Sequence, residues 1–433
     1  MLPTAMARIP RTRATKRIGT GVAVVLLVAA CGSATTGGSG GGTVKTDGAG
    51  HVSFGVLSCF TGPLAVLGQA MLQGSQVAQK VINASGGVLG KQLDISHADT
   101  GCDLADAVPA VRQLLSADSV SGIIGPETQE IAAVAPIVSA AKIPTEFQGG
   151  STAFDKNANP YLWRSSPSDS QLGVAMALYA KQKGYKTAAL LFSSDIAQQT
   201  IPKPITATWQ KFGYTIVSNT TVAPGQTSYR TEVQAIIAHH PDVIFTQLDP
   251  QTAAVMFQNF KELDNLAIPI VGTDVTSGND YLKAITYRVA HDHLVSIYGT
   301  NATGAAADYF AAQFAAQNGA TAPPIAGANY AYDAVISLAL AMDKAGTTDG
   351  PAVIAAMTKV TNPPGTPCDN YKACLQGIKA GTKIKMDGAS GDLIFNSFNN
   401  VFGPYGAFQA DATSGAETQV ALLSASDLAA ATP

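Results

Sequence analysis

Charged side chains are scarce in this sequence: Asp, Glu, Lys and Arg make up 13% of the 433 residues, and the formal net charge is −3. A typical globular protein carries about 25% of such residues. Apart from a cluster near the amino terminus, the basic residues are scattered, so the chain lacks the concentrated positive surface that nucleic acid binding requires. Apolar residues make up 46%. We therefore expect a body with a well-packed core and no nucleic-acid partner.

Motifs of common enzymes and metal sites are missing as well. From residue 52 onward the sequence contains no Gly-x-Ser-x-Gly nucleophile turn, and it contains no His-Glu-x-x-His pair anywhere. No His/Cys spacing resembles a zinc site. The segment SGGVLGK, which ends at Lys91, lacks the spacing of a phosphate-binding loop, and no Ser or Thr follows the lysine. We expect no enzymatic activity and no cofactor or metal.

Long apolar runs are absent except for residues 18–28. A basic stretch precedes this run, and Ala29, Ala30 and Cys31 follow it. A basic region, a short apolar region and small residues in this order predict a secretory signal peptide over residues 1–30. The run is short for a membrane span, so an uncleaved membrane anchor is the less favoured alternative.

The residues around the predicted cleavage point also indicate a lipid anchor. LVAACGS resembles the lipobox of bacterial lipoproteins, in which the cysteine is diacylated and becomes the first residue of the mature chain. Cys31 is then the lipidation site, and the protein is held at the outer face of the cell membrane or in the periplasm. Small residues dominate from Gly32 to Gly50. Their composition predicts a flexible linker, so residues 31–50 form the lipidated Cys and its tether.

Only five cysteines occur, and four remain when Cys31 is set aside. An even number in an exported chain indicates two disulfides. Cys368 and Cys374 enclose a short polar loop and are expected to pair, which leaves Cys59 with Cys102. Both members of this second pair follow probable parallel strands that are expected to be neighbours. A metal site is the alternative for these cysteines.

Short apolar strands alternate with helical stretches through most of the chain. Strands are predicted at 52–57, 92–98, 121–125, 143–147, 187–192, 215–219, 243–247 and 269–272. Helices are predicted at 69–83, 105–115, 128–141, 171–184, 200–213, 229–239, 253–264, 305–318, 328–345 and 351–359. This alternation predicts parallel doubly wound sheets, and its restart after a break predicts two α/β lobes. Ligands of such sheets bind beyond the carboxyl ends of the strands, so the two lobes predict a cleft between them.

Several segments resemble one known family. CFTGPLAVLGQAMLQGSQVAQKVINASGGVLGKQLDI is similar to the opening of the branched-chain amino-acid-binding (Leu/Ile/Val-binding) periplasmic proteins, the solute-binding components of ABC importers. IIGPETQEIAAVAPIVSAAKIP, NPYLWRSSPSD and GPYGAFQ also resemble that family. The resemblance runs from about residue 52 to about residue 410, which is most of the predicted mature chain.

The resemblance implies a type I periplasmic-binding-protein fold, with two doubly wound lobes joined by three crossovers near residues 168, 297 and 386. The first lobe would comprise residues 51–168 and 298–385. The second would comprise residues 169–297 and 386–420. It also implies the function: lobe closure around a small polar solute, an amino acid or an amide-like compound, and delivery to an ABC permease in the membrane.

The family's site residues can be carried over only position by position. Its first-lobe contacts to a ligand carboxylate fall on Thr128, Gln129, Gly150 and Ser151, and its acidic contact to a ligand ammonium group falls on Asp274. Thr128 and Ser151 have an alternative role as helix caps. Asp274 has an alternative role as a turn residue.

Some positions depart from the family pattern. Ala197 and Leu248 stand where aromatic residues are usual, and Glu127, Glu146 and Phe147 are unusual for this part of the cleft. We include Glu127, Phe147 and Leu248 among the expected ligand-binding residues. The departures bear on the identity of the solute rather than on the fold.

Two other functions remain as alternatives. The same fold can act as a sensor through a separate membrane signalling partner, and a lipid-anchored hydrolase is compatible with α/β architecture because fold does not fix function. Permease and ATPase genes beside this gene would favour transport over sensing. We expect the protein to act as a monomer.

Overall fold

The computed structural model describes residues 43–62, 64–300, 303–319 and 327–433. The chain divides into two compact units, Met1–Gly40 and Gly41–Pro433, and every element below belongs to the second. The predicted signal peptide and Cys31 therefore lie outside the described residues. None of the helices in the described part of the chain is both long enough and apolar enough to cross a membrane.

The first lobe is built on a fully parallel sheet of five strands. Its strands are β1 (Val52–Ser58), β2 (Leu93–Asp99), β3 (Gly122–Ile124), β4 (Thr145–Phe147) and β5 (Leu162–Arg164), in the spatial order β2-β1-β3-β4-β5. Three helices connect them: α1 (Ala65–Ala84), α2 (Leu104–Ser116) and α3 (Ile131–Ala141). Parallel strands joined through helices place all carboxyl ends at one edge of the sheet, which is where the first-lobe site residues lie.

The second lobe has a sheet of seven strands in the order β15-β14-β10-β9-β8-β6-β7. Five of them are parallel: β6 (Thr187–Ser193), β7 (Thr215–Val222), β8 (Val243–Gln247), β9 (Ile270–Gly272) and β10 (Leu294–Gly299). The strands β14 (Tyr405–Ala410) and β15 (Glu417–Leu423) are added antiparallel. The connecting helices are α4 (Asp169–Gln182), α5 (Pro202–Lys211), α6 (Arg230–Ala238), α7 (Pro250–Glu262), α8 (Gly278–Ile285) and α9 (Tyr287–His293).

The segment between β10 and β14 returns to the first lobe. It contains the helices α10 (Ala305–Asn318), α11 (Ala328–Ala345), α12 (Gly350–Thr361) and α13 (Tyr371–Lys379). It also contains a small sheet of β11 (Thr366–Cys368), β12 (Ile384–Gly388) and β13 (Gly391–Asp392). The chain ends with α14 (Ala425–Ala431), which packs on α4. Most of α11 is buried against α1 and β3, so this helix is the central support of the first lobe.

The third crossover lies later in the chain than predicted. Met386, Leu393, Phe395 and Val401 are buried in the same apolar cluster as α1 and α11 of the first lobe. The prediction that residues 386–401 belong to the second lobe is therefore wrong. The chain crosses just before β14, because apolar side chains from the small sheet complete the first-lobe core.

The predicted tether also ends earlier than Gly50. The carbonyl of Thr43 accepts a hydrogen bond of 2.5 Å from the Thr347 hydroxyl, and the amide of Lys45 donates one of 2.7 Å to the Thr348 hydroxyl. These bonds fix the chain from Thr43 onward to the end of α11. Residues before 43 lie outside the described part.

Both predicted disulfides are confirmed. Cys59 pairs with Cys102, and Cys368 pairs with Cys374. The first joins the loop after β1 to the loop after β2, which are neighbouring strands in the sheet. It therefore fixes two loops at the cleft-facing edge of the first lobe.

Candidate functional site

Loops from both lobes meet where the parallel strands end. A recess of about 300 Å³ opens between them. Its lining residues come from the loops after β2 and β3 of the first lobe and after β6 of the second: Cys102, Asp103, Leu104, Gln129, Ser194, Asp195 and Ile196. Leu104 and Ile196 are exposed on its two opposite sides. Of the sequence-predicted site residues, Gln129 therefore lies on a surface that both lobes share.

The loop after β3 carries Glu127, Thr128 and Gln129, and all three are half-buried. Helix α3 begins at Ile131 and is preceded by Glu130, without a side-chain cap. Thr128 consequently does not cap this helix, which leaves its hydroxyl group available at the edge of the cleft.

The loop after β4 approaches its neighbours very closely. A side-chain carbon at Gly149 would meet the backbone of Thr128, and one at Gly150 would overlap the carboxylate of Asp169. Ser151 follows, and its hydroxyl accepts a hydrogen bond of 3.4 Å from the Ala153 amide. Ser151 therefore has the capping role that was its alternative. The two glycines allow three segments of the chain to converge here.

Asp169 is a central residue of the site that the sequence did not reveal. It is the first residue of α4, directly after the first crossover, and its amide donates a hydrogen bond of 2.8 Å to the Gly150 carbonyl. The Thr200 hydroxyl donates to its carboxylate. Burial raises the pKa of Asp169 to about 7, and the charge of Asp274 adds to this rise. The only hint in the sequence was its position in the family-like segment NPYLWRSSPSD.

Glu127 and Asp274 approach this carboxylate from opposite lobes. Asp274 follows β9 in a short 3-10 turn and is open to solvent. Burial, together with the charges of Glu130, Asp274 and Asp169, raises the pKa of Glu127 to about 8. The pKa of Asp274 is also raised, because protein atoms around its carboxylate displace part of the surrounding water. A carboxylate on the wall of a cleft can be reached by solvent and still lie close to many protein atoms, as Asp274 does.

Three tyrosines lie near enough to Asp274 for its charge to act on them. Tyr330 is at the start of α11, and its hydroxyl lies so close to Gly299 that no side chain fits there. Burial raises the pKa values of Tyr298, Tyr330 and Tyr405, and the charge of Asp274 contributes to the rise in all three. The charge of one acidic group therefore acts on tyrosines of the first lobe and of the second-lobe sheet, of which Tyr405 lies in the second-lobe core.

Arg164 holds the hinge rather than a ligand. It ends β5, is 1% exposed, and pairs with Asp155 at 2.5 Å. Its other guanidinium hydrogens go to the Gly150 and Ser151 carbonyls at 3.2 and 3.0 Å and to Asn400 at 2.9 Å. Asn400 belongs to the third crossover, so this one cation joins the loop after β4 to the returning chain.

Two predicted ligand-binding residues are core residues instead. Phe147 is 0% exposed and packs with Phe154 and the apolar residues between the first sheet and α2 and α3. Leu248 is 1% exposed and belongs to the second-lobe core beside α7. Their assignment to the site was wrong because proximity to a strand end does not determine which way a side chain points.

Glu146 lies behind the site and is buried too. Its side chain leaves β4 on the face opposite Phe147 and accepts a hydrogen bond from the Ser337 hydroxyl of α11. Nearby, buried Asp333 accepts hydrogen bonds from the Ala389 and Ser390 amides at 2.8 and 2.7 Å. Burial raises the pKa of Glu146 well above its usual value and that of Asp333 to about 6.

One cluster of metal-binding residue types occurs among the described residues. Cys59, Cys102 and Glu130 lie within 4.8 Å of one another. The two sulfurs form a disulfide and have no thiolate to offer a metal. Glu130 instead accepts a hydrogen bond of 2.5 Å from the Thr100 hydroxyl, which ties the disulfide-linked loops to the start of α3.

Comparison with known proteins places the chain in a family. Residues 51–372 match the family model described as periplasmic binding protein. The Leu/Ile/Val-binding protein BraC3 of Rhizobium johnstonii is 24% identical over 323 residues, covering 71% of this chain and 83% of that protein. Relatives of this kind are solute-binding proteins and not enzymes.

Solved structures show the same fold. The leucine-binding protein LivK of Thermotoga maritima superimposes with a TM-score of 0.74 at 18% identity, covering 87% of this chain and 99% of that one. A solute-binding protein of an ABC transporter from R. palustris, in complex with benzoate, gives a TM-score of 0.69 at 17% identity, with 89% and 97% covered. The architecture is therefore the type I periplasmic-binding-protein fold, with two doubly wound lobes and three crossovers.

Proposed function

The chain belongs to the periplasmic binding protein family, and from that premise we propose that it captures one small polar solute, an amino acid or amide-like compound, by closing its two lobes. The closed form then delivers the solute to an ABC permease. One observation carries this proposal: polar groups of both lobes converge on one cleft. Thr128 and Glu127 come from the first lobe, and Asp274 and Thr200 come from the second.

Closure is a shift between two arrangements of the lobes. A ligand that contacts Thr128 on one side and Asp274 on the other makes more contacts when the lobes are close. It therefore binds the closed arrangement more tightly than the open one, and this difference in affinity shifts the population towards the closed arrangement. At the hinge, Arg164 donates a hydrogen bond of 2.9 Å to Asn400, which joins two of the segments that link the lobes. No covalent step is needed.

The attachment to the membrane is part of the proposal. A diacylated Cys31 would hold the protein at the outer face of the membrane, and the small residues that follow would let the body reach a permease. We propose that it does so as a monomer. Thr43 is bound near the amino-terminal edge of the first sheet, and the cleft lies at the carboxyl edge. The tether therefore leaves the cleft free.

Thermal unfolding of the full chain, purified in a non-ionic detergent, tests the binding function. The panel contains amino acids, amides, ureas and small carboxylates. A solute that binds only the folded state adds about 2.7 kcal/mol of stability at 100 times its dissociation constant, so a saturable rise in Tm is expected for one class. Small-angle scattering should then show a smaller radius of gyration with that solute.

A matched pair of variants localises the binding. Thr128→Val removes the hydroxyl at the cleft and should weaken binding, whereas Thr413→Val should not. Thr413 lies beyond the end of β14, which runs antiparallel to β10, so it is at the edge of the sheet away from the cleft. The proposed site would be contradicted if both variants weakened solute binding equally, or if no solute stabilised the protein. Formation of a product from a solute would instead favour the hydrolase alternative.

A further inference from the structure

The cleft has an excess of negative groups. Glu127 follows β3, Asp169 begins α4 and Asp274 follows β9. The backbone of Glu127 lies against Gly149 and the carboxylate of Asp169 lies against Gly150, so these two acids meet at one loop. Asp274 is near enough for its charge to raise the pKa of both. None of these three carboxylates forms an ion pair within the described part of the chain. Like charges gathered without a counter-charge are unfavourable unless something else offsets them.

The basic residue Arg164 lies near the cluster but is not available to balance its charge. Arg164 lowers the pKa of Asp169 by its charge, but its guanidinium group is buried and paired with Asp155. Its Nε and Nη1 donors are occupied by Asn400 and by the Gly150 and Ser151 carbonyls. The cation is therefore part of the hinge and does not face a ligand.

The other groups around the carboxylates suit a positive ligand. Tyr298 and Tyr330 lie near enough to Asp274 for its charge to act on them, and the face of an aromatic ring attracts an ammonium or guanidinium group. Tyr298 is stacked on Phe408 with ring centroids 3.9 Å apart, which fixes its orientation. Gln247 ends β8 at the same edge of the sheet, is buried, and has a side-chain oxygen with no partner among the described residues.

We propose that the solute captured in this cleft is a small organic cation with a net positive charge, carrying an alkylammonium or guanidinium group that no carboxylate of its own neutralises. The proposal rests on the proposed binding function and narrows its ligand. An aliphatic zwitterion would bring its own carboxylate into a cleft that already holds Glu127, Asp169 and Asp274. A net cation meets opposite charge from both lobes and is drawn in by their combined field.

Proton release distinguishes a cation from other solutes. Burial and the neighbouring charges raise the pKa of Glu127 to about 8 and that of Asp169 to about 7, so part of the cluster is protonated at neutral pH. A bound cation favours the ionised carboxylates and lowers these pKa values. Binding should therefore release protons, and affinity should rise with pH between about 6 and 8. The groups that face the cluster are Glu130, Asp155, Arg164 and the three tyrosines.

Calorimetric titration of the full chain in detergent tests the proposal, with putrescine, arginine and choline as cations and leucine and benzoate as comparisons. We expect saturable binding of at least one cation, with a heat that differs between phosphate and Tris buffer because protons are released. Glu127→Gln and Asp274→Asn should each weaken that binding by at least tenfold. Both are isosteric and remove repulsion, so they should also raise the Tm of the unliganded protein.

Asp292→Asn is the matched control. Asp292 lies in α9 just before β10 begins, at the edge of the sheet opposite the cleft, and pairs with Arg288 at 2.7 Å. Its neutralisation should leave cation binding unchanged. Saturable binding of leucine or benzoate without binding of any cation would overturn this inference and leave the proposed function standing. If none of the five compounds bound, the inference would be overturned. If no solute of the thermal unfolding panel bound either, the proposed function would be overturned as well.

Discussion

Gly150 lies directly against the carboxylate of Asp169, and this contact shows how closely the site depends on single residues. The absence of a side chain at Gly150 allows the loop after β4 to meet the first turn of α4. The Gly150 carbonyl also accepts hydrogen bonds from the Asp169 amide and from Arg164. Position 150 therefore sets both the location of the acid and the geometry of the hinge.

Gly150→Ala should displace the Asp169 carboxylate and weaken solute binding by about tenfold or more, because small misplacements in a preorganised site have large effects. The strain should lower the free energy of unfolding by about 1 to 3 kcal/mol. Calorimetric titration and thermal unfolding measure the two effects. Gly48→Ala is the control, since a side chain there meets no atom within 4 Å. Unchanged binding in Gly150→Ala would contradict the importance of this contact.

At the scale of elements, the disulfides brace the first lobe at two different places. Cys59–Cys102 spans 43 residues of sequence and fixes the loops at the cleft, whereas Cys368–Cys374 spans 6 and closes the loop between β11 and α13. A long closed loop removes more freedom from the unfolded chain than a short one. Only the first pair also contacts Glu130, beneath the recess.

Replacing both cysteines of one pair by serine should therefore have unequal effects. Loss of Cys59–Cys102 should lower the free energy of unfolding by about 4 kcal/mol, and loss of Cys368–Cys374 by about 2 kcal/mol. Chemical denaturation of the two double variants measures this order. Solute affinity should fall only in the Cys59→Ser/Cys102→Ser variant. The reverse order of stability would show that strain in the folded state outweighs the loop effect.

At the scale of the whole molecule, buried acids make stability depend on pH. The folded-state pKa values of Glu146 and Asp333 are raised by burial, that of Asp333 to about 6. A raised pKa stabilises the folded form at low pH, and this contribution is lost as pH rises through the folded-state value. Exposed acids with lowered pKa values, such as Asp99 and Asp242, lose their contribution only below about pH 4.

We therefore expect a higher Tm at pH 5 than at pH 8. Glu146→Gln keeps an oxygen that can accept from Ser337 but carries no charge, so it should raise Tm at pH 8 by a few degrees and leave it nearly unchanged at pH 5. Glu262→Gln is the control, because that carboxylate is exposed in a surface ion pair with Arg230. Equal shifts of Tm at both pH values in Glu146→Gln would contradict this explanation.

The sequence predicted secondary structure most accurately where the pattern that indicates an element lies within that element. The helices predicted at 305–318 and 328–345 have the same bounds in the structure, because their alanine-rich composition and flanking glycines are local features. The short strand β5 and the helices α8, α9 and α13 were not predicted. These are brief elements, and tertiary packing stabilises them more than intrinsic propensity does.

Local pattern by itself determined the α/β alternation, the two-lobed architecture and both disulfides, because periodicity and spacing along the chain follow directly from backbone geometry. Only the tertiary structure decided which side chains face the cleft. It placed Phe147 and Leu248 in the cores, and it brought Asp169 beside Glu127 and Asp274. The direction of a side chain and the meeting of distant loops depend on how the whole chain packs, and no short segment contains that information.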